Sequence, residues 1–98
     1  MRYRGLGCFK DDRVEHAIPE LVKNFRSTID WSNMGKTINE CAEYVHKNYP
    51  KNKVFAVQFY GECWTGSEAE YTYDIYGPSN ECWENVGKQY TNYVYTFE

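Results

Sequence analysis

Four cysteines, Cys8, Cys41, Cys63 and Cys82, carry the most definite chemistry in this chain, and they lie 33, 22 and 19 residues apart. Zinc and dithiol redox sites are built from close pairs of the C-x-x-C kind, and no such pair is present. An even number of well-separated cysteines in a 98-residue chain predicts two disulfides and an oxidising compartment. The competing reading is four free thiols packed as small hydrophobes. Spacing alone permits three pairings.

The remaining candidates for catalysis are few. His16 and His46 are the only histidines. His46 follows Val45 on a predicted helix and reads as a solvated side chain that complements the helix dipole. His16 lies in an irregular charged stretch. Oxidised cysteines would leave no thiol nucleophile. Asp11, Asp12 and Glu15 could offer oxygens to Ca²⁺, but they lack the spacing and glycine of an EF-hand loop and read as a solvated acidic turn. Glu68 and Glu70 could serve as a glycosidase pair only within a cleft, which so short a chain scarcely makes. No catalytic residue, cofactor or metal is therefore expected.

Aromatic residues are the second concentration of chemistry. The chain has ten Tyr, five Phe and three Trp, 18% of its residues, which also argues against extended disorder. Tyr60, Trp64, Tyr71, Tyr73, Tyr76 and Trp83 fall in one stretch with Glu62, Asp74, Asn80, Glu81 and Asn85. An aromatic ring offers a flat apolar face to the C–H surface of a sugar, and carboxylates and amides can bind its hydroxyls. The competing reading is core. Leucine occurs only at 6 and 21 and isoleucine only at 18, 29, 38 and 75, so aromatics must supply packing. More than half of the six rings are expected to be structural, with Trp64 packed on the disulfide of its neighbour Cys63.

Charge narrows the ligand class. Residues 1–53 hold ten basic and seven acidic side chains, a net of +3, whereas residues 54–98 hold one basic and seven acidic, a net of −6. A negative field around the aromatic stretch repels phosphate and sulfate, which disfavours nucleic acid and polyanionic glycans. Neutral sugars or a basic protein partner remain. No apolar run reaches the ~18 residues of a membrane helix, so membrane insertion is not expected. Met1 leads straight into Arg2-Tyr3-Arg4 without an apolar stretch, which fits a mature domain carrying a start methionine.

These residues must be positioned by a small set of elements, and the length suits a single domain over 1–98. Thr37-Ile38-Asn39-Glu40 fits a capping box, and Ile38, Cys41, Ala42 and Val45 follow as one apolar stripe. The spacing predicts a helix from Thr37 that stops before Pro50, preceded by a loop at Asn33-Met34-Gly35. A shorter helical turn is expected from Pro19, with Leu21, Val22 and Phe25 inward. Val54–Tyr60 reads as a central strand, with Phe55, Val57 and Phe59 on one face and Val54, Ala56, Gln58 and Tyr60 on the other. A tight turn at Gly61 would return the chain through Glu62-Cys63-Trp64. Tyr93–Phe97 reads as the terminal strand, able to pair with Leu6, Cys8 and Phe9, and residues 65–92 as irregular structure with short elements. The resulting class is α+β, an antiparallel sheet with one main helix packed across it. In that arrangement the stripe cysteine Cys41 faces the sheet near Cys63, which favours Cys41–Cys63 and leaves Cys8 with Cys82.

Gly7-Cys8-Phe9-Lys10-Asp11, the helix bearing Cys41-Ala42, and Phe55-Ala56-Val57-Gln58 leading to Gly61-Glu62-Cys63-Trp64-Thr65-Gly66 occur in the order of WSC domains. Asn92-Tyr93-Val94-Tyr95 resembles the closing strand of such modules. WSC domains are similar to the PAN/Apple group, small extracellular modules with a helix disulfide-bonded onto an antiparallel sheet. The chain departs from them in having about half their cysteines, with Thr65 where the family often has Cys. The resemblance implies a divergent, cysteine-poor extracellular module without catalytic activity, associated with recognition and with carbohydrate binding.

Together these readings predict a secreted, lectin-like module that binds a neutral glycan through Tyr60, Glu62, Trp64, Tyr71, Tyr73, Asp74, Tyr76, Asn80 and Trp83. The alternative is a protein-binding or self-associating adhesive module, for which exposed Tyr and Trp are equally suited.

Overall fold

Val54-Phe55-Ala56-Val57-Gln58 is the most apolar short run in the chain, and in a computed structural model describing residues 1–98 it forms the middle of the sheet. In chain order the elements are β1 (Tyr3–Lys10), β2 (Glu20–Asn24), α1 (Met34–Asn48), β3 (Val54–Gln58) and β4 (Glu62–Thr65). There follow α2 (Ala69–Thr72), β5 (Cys82–Trp83), β6 (Val86–Gly87) and β7 (Thr91–Phe97). Five strands make one sheet in the order β1-β7-β3-β4-β2, every pair antiparallel, and β5 and β6 form a separate hairpin. The class is α+β, as the sequence predicts.

All five residues of β3 are buried because both faces of the sheet are covered. On one face α1 lays Met34, Ile38, Cys41, Ala42 and Val45 over Phe55, Val57, Cys63 and Tyr95. On the other, Val54, Ala56, Trp64 and Val94 meet Ile18 and Ala69, with Leu6, Phe9 and Tyr73 at the margin. Strand alternation therefore sends Cys63 and Trp64 to opposite faces. Trp64 does not pack on the disulfide of its neighbour, contrary to expectation.

The cysteines pair as Cys8–Cys82 and Cys41–Cys63. The second bond ties α1 to β4 in the helix-side core, and the first ties β1 to the β5–β6 hairpin. No helix is long and apolar enough to cross a membrane.

Three local expectations are corrected. Helix α1 begins at Met34, so Asn33-Met34-Gly35 is not all loop and Thr37 is not a cap but a fully buried interior residue. The stripe simply starts one turn earlier, with Met34 four residues before Ile38 and in the same core. The segment after Pro19 forms edge strand β2 on β4 rather than a helical turn. Val22 and Phe25 do pack against the helix-side core, but Leu21, opposite Trp64 on an edge strand, points to the other face and is 47% exposed. Finally, β3 ends at Gln58, and the left-handed turn residues are Phe59 (φ 50°) and Tyr60 (φ 69°) rather than Gly61. Tyr60 is thereby turned toward the helix-side core instead of sharing a face with Val54 and Ala56. Gly61 serves close approach: a Cβ there would sit 3.0 Å from the Arg26 backbone nitrogen, beside the Phe25 N–H bond to the Gly61 carbonyl.

Candidate functional site

The turn 59–61 is held against the last third of the chain. Phe59 N–H donates to the Lys88 carbonyl and Tyr60 N–H to that of Gly87. On the Tyr60 side, three rings from three elements converge. Tyr60 comes from the turn, Trp83 from β5, and Trp31 from the loop before α1, with centroid separations of 5.5 Å (Trp31–Tyr60), 6.2 Å (Trp31–Trp83) and 6.4 Å (Tyr60–Trp83). The supports are local. Asp30 accepts from both the Ser32 N–H and the Ser32 hydroxyl, fixing the turn that carries Trp31. Those two bonds hold the Asp30 carboxyl below its usual range. Glu84 and Asn85, both in the left-handed region, close the β5–β6 hairpin that presents Trp83.

Core aromatics pack away from water, whereas here Trp31 is 56% and Trp83 39% exposed. With Lys88, the three rings line a shallow recess of about 440 Å³. Lys88 reaches Glu81 at 3.6 Å, placing a charged pair at the rim. The result is an aromatic platform with polar groups at one edge, a shape suited to a flat, hydroxylated ligand.

A polar recess of about 370 Å³ lies on the Phe59 side of the same turn, lined by Arg13, His16, Gln58, Phe59, Glu62, Trp64, Gln89 and Tyr90. Behind it the Asp11 side chain is fully buried. Its Oδ1 accepts from the Ala17 N–H at 2.7 Å, and its Oδ2 accepts from His16 Nδ1–H at 2.7 Å and Gln58 Nε2–H at 2.8 Å. The His16 ring lies 4.4 Å from the Trp64 ring, centroid to centroid, and Trp64 Nε1–H donates to Glu62 Oε1 at 3.3 Å. Asp11 and Asp12 are spent differently. Asp12 is exposed and accepts from the Val14 and Glu15 N–H groups, which hold its carboxyl below its usual range.

The nine sequence-predicted residues thus do not share one surface. Tyr60 and Trp83 join the aromatic platform, while Glu62 and Trp64 join the polar recess, with Trp64 only 7% exposed. Tyr73 packs edge-on against Phe9 at 5.2 Å, and the Tyr76 hydroxyl donates to the Glu15 carbonyl at 2.5 Å, so both pin loops. Tyr71, Asp74 and Asn80 are exposed, and none joins either recess. Sequence reasoning missed Trp31, Lys88, His16 and Gln58. Trp31 had one available signal, a large ring between the turn formers Asp30 and Ser32, where burial is uncommon. The others depend on tertiary pairing and carry no local signal. Comparison with protein-family models, curated proteins and solved structures gives no match.

Proposed function

We propose that this chain is a non-catalytic extracellular recognition module that binds a neutral glycan through the Trp31–Tyr60–Trp83 platform. The observation that carries the reading is the exposure of two tryptophans held beside a third ring, where a folding core has no use for them. A sugar ring stacked there would cover apolar area, and Glu81, Asn85 and Lys88 would be near enough in the chain to meet its hydroxyls. Two disulfides support an oxidising, secretory compartment. A helix disulfide-bonded to an antiparallel sheet supports a divergent WSC-like, PAN/Apple-like module.

A glycan array probed with the wild type, Trp31→Ala and Trp83→Ala tests the reading. Binding to at least one neutral glycan, weakened about fivefold or more in both variants, is expected, since stacked aromatic contacts contribute ~1 kcal/mol or more each. A folded wild type that binds no neutral glycan would contradict it. A protein-binding role is favoured by a different observation: Tyr71 of α2 and Ile75 in the turn after it are 71% and 56% exposed. Self-association through that patch would appear as a concentration-dependent mass in light scattering, abolished by Tyr71→Ser with Ile75→Ser.

A further inference from the structure

The polar recess beside His16 brings together three side chains that can accept hydrogen bonds, Gln58, His16 and Glu62. Gln58 is 3% exposed and spends both Nε2 protons, one on Asp11 Oδ2 at 2.8 Å and one on Asn92 Oδ1 at 2.9 Å. Because a carboxylate only accepts, this orientation of the Gln58 amide is fixed. Its Oε1 takes no hydrogen bond from the protein. The only side-chain atoms sealed from water without a partner are Thr37 Oγ1 and Asn92 Nδ2, so Gln58 Oε1 is not sealed, and Gln58 lines the recess. The same logic fixes His16. Its Nδ1 carries the proton donated to Asp11, so in a neutral ring Nε2 is the lone pair, on a side chain 24% exposed. Both groups hang from one oxygen of one buried carboxylate, and both residues line the same recess. Glu62 adds a negative charge, and only one of its oxygens is engaged within the protein.

Acceptors backed by negative charge suit a compact cation with several protons to donate. We infer that this recess is a subsite for the protonated primary amine of an amino sugar, placed across the turn 59–61 from the aromatic platform; the inference rests on the glycan reading of that platform, which stacks the uncharged ring face, and extends its ligand from neutral sugars to one bearing an ammonium group. The ammonium donates to Gln58 Oε1, His16 Nε2 and Glu62. Arg13, an exposed cation at the recess wall, opposes the ligand rather than binding it.

The test is calorimetric titration of the intact disulfide-bonded protein with a glucosamine tetramer and with its fully N-acetylated counterpart. The free-amine tetramer is expected to bind at least about threefold more tightly, the range of one exposed charge pair. Glu62→Gln, which retains an acceptor for Trp64, is expected to abolish that preference. Arg13→Ala is expected to enlarge it, and Trp83→Ala to weaken both sugars alike. In the wild type the Trp64 indole N–H resonance should shift with the free-amine sugar alone. Equal binding of the two tetramers, or a preference that survives Glu62→Gln, would overturn the amine subsite while leaving the platform standing. Displacement of the free-amine tetramer by N-acetyl-lysine methylamide at equal concentration would overturn it in favour of a basic protein partner. Binding of neither tetramer would overturn it as well, and the glycan array then decides separately whether the platform fails too.

Discussion

Thr37 and Tyr95 show how single side chains carry consequences that the linear sequence hides. Thr37 reads as a helix cap, yet its side chain is fully buried within α1 and its Oγ1 has no partner. A buried hydroxyl without a hydrogen bond costs about 1 kcal/mol or more, and valine has nearly its shape. Thr37→Val is therefore expected to stabilise the fold by about 1 kcal/mol, measured by urea unfolding. Tyr95 stacks on Phe55 at 5.1 Å and donates its hydroxyl proton to the Asn85 carbonyl at 2.7 Å. Burial first, then the neighbouring Tyr93 and Tyr3, hold its phenol well above the ordinary value of 10.0. The folded state thus favours the neutral phenol, and its contribution is fully present below about pH 10 and lost as pH rises beyond that. Tyr95→Phe is expected to cost about 1 kcal/mol at neutral pH and to flatten the alkaline fall in stability. Tyr3, also raised by burial and then by Glu43, supplies part of the remaining slope.

At the scale of elements, what was legible followed period and composition. The apolar stripe of α1, the doubly apolar β3 and the aromatic β7 each advertise their partners, so sheet, helix and both cysteine pairings follow. The start of α1 was not legible because Thr37 and Glu40 imitate a cap, while the residue at the true cap position, Asn33, makes no side-chain cap bond. Edge strand β2 was not legible because its pairing with β4 is tertiary, and Leu21-Val22 suits helix or strand equally. The pairings make a quantitative prediction. Cys41–Cys63 closes a separation of 22 residues and Cys8–Cys82 one of 74. In the chain-entropy model these contribute about 3 and about 4–5 kcal/mol. Replacing each pair by alanine should lower the urea midpoint, with the Cys8/Cys82 variant the weaker protein. The reverse order would mean that packing of the fully buried Cys41 and Cys63 outweighs loop length.

For the molecule as a whole, the topology undoes the charge division that the sequence displays. The basic half supplies β1, β2 and α1, and the acidic half β3, β4 and β7, yet the sheet order β1-β7-β3-β4-β2 places basic-half strands at both edges of acidic-half ones. Trp31 from the first half completes the platform of Tyr60 and Trp83, and His16 from the first half meets Glu62 and Trp64. Composition could name the aromatic stretch, but only the fold decides which rings reach solvent. Trp64, Tyr73 and Tyr76 hold the structure together, whereas Trp31 and Trp83 are spared from it.

That partition of the three tryptophans is directly measurable. A ¹⁵N-labelled sample gives one indole N–H signal for each, and titration with a neutral glycan identified on the array should move those of Trp31 and Trp83 while Trp64 stays fixed. Trp83→Ala should then diminish the shift at Trp31. Signals of Trp31 and Trp83 that remain unmoved at a saturating concentration of such a glycan would contradict the platform as its binding site.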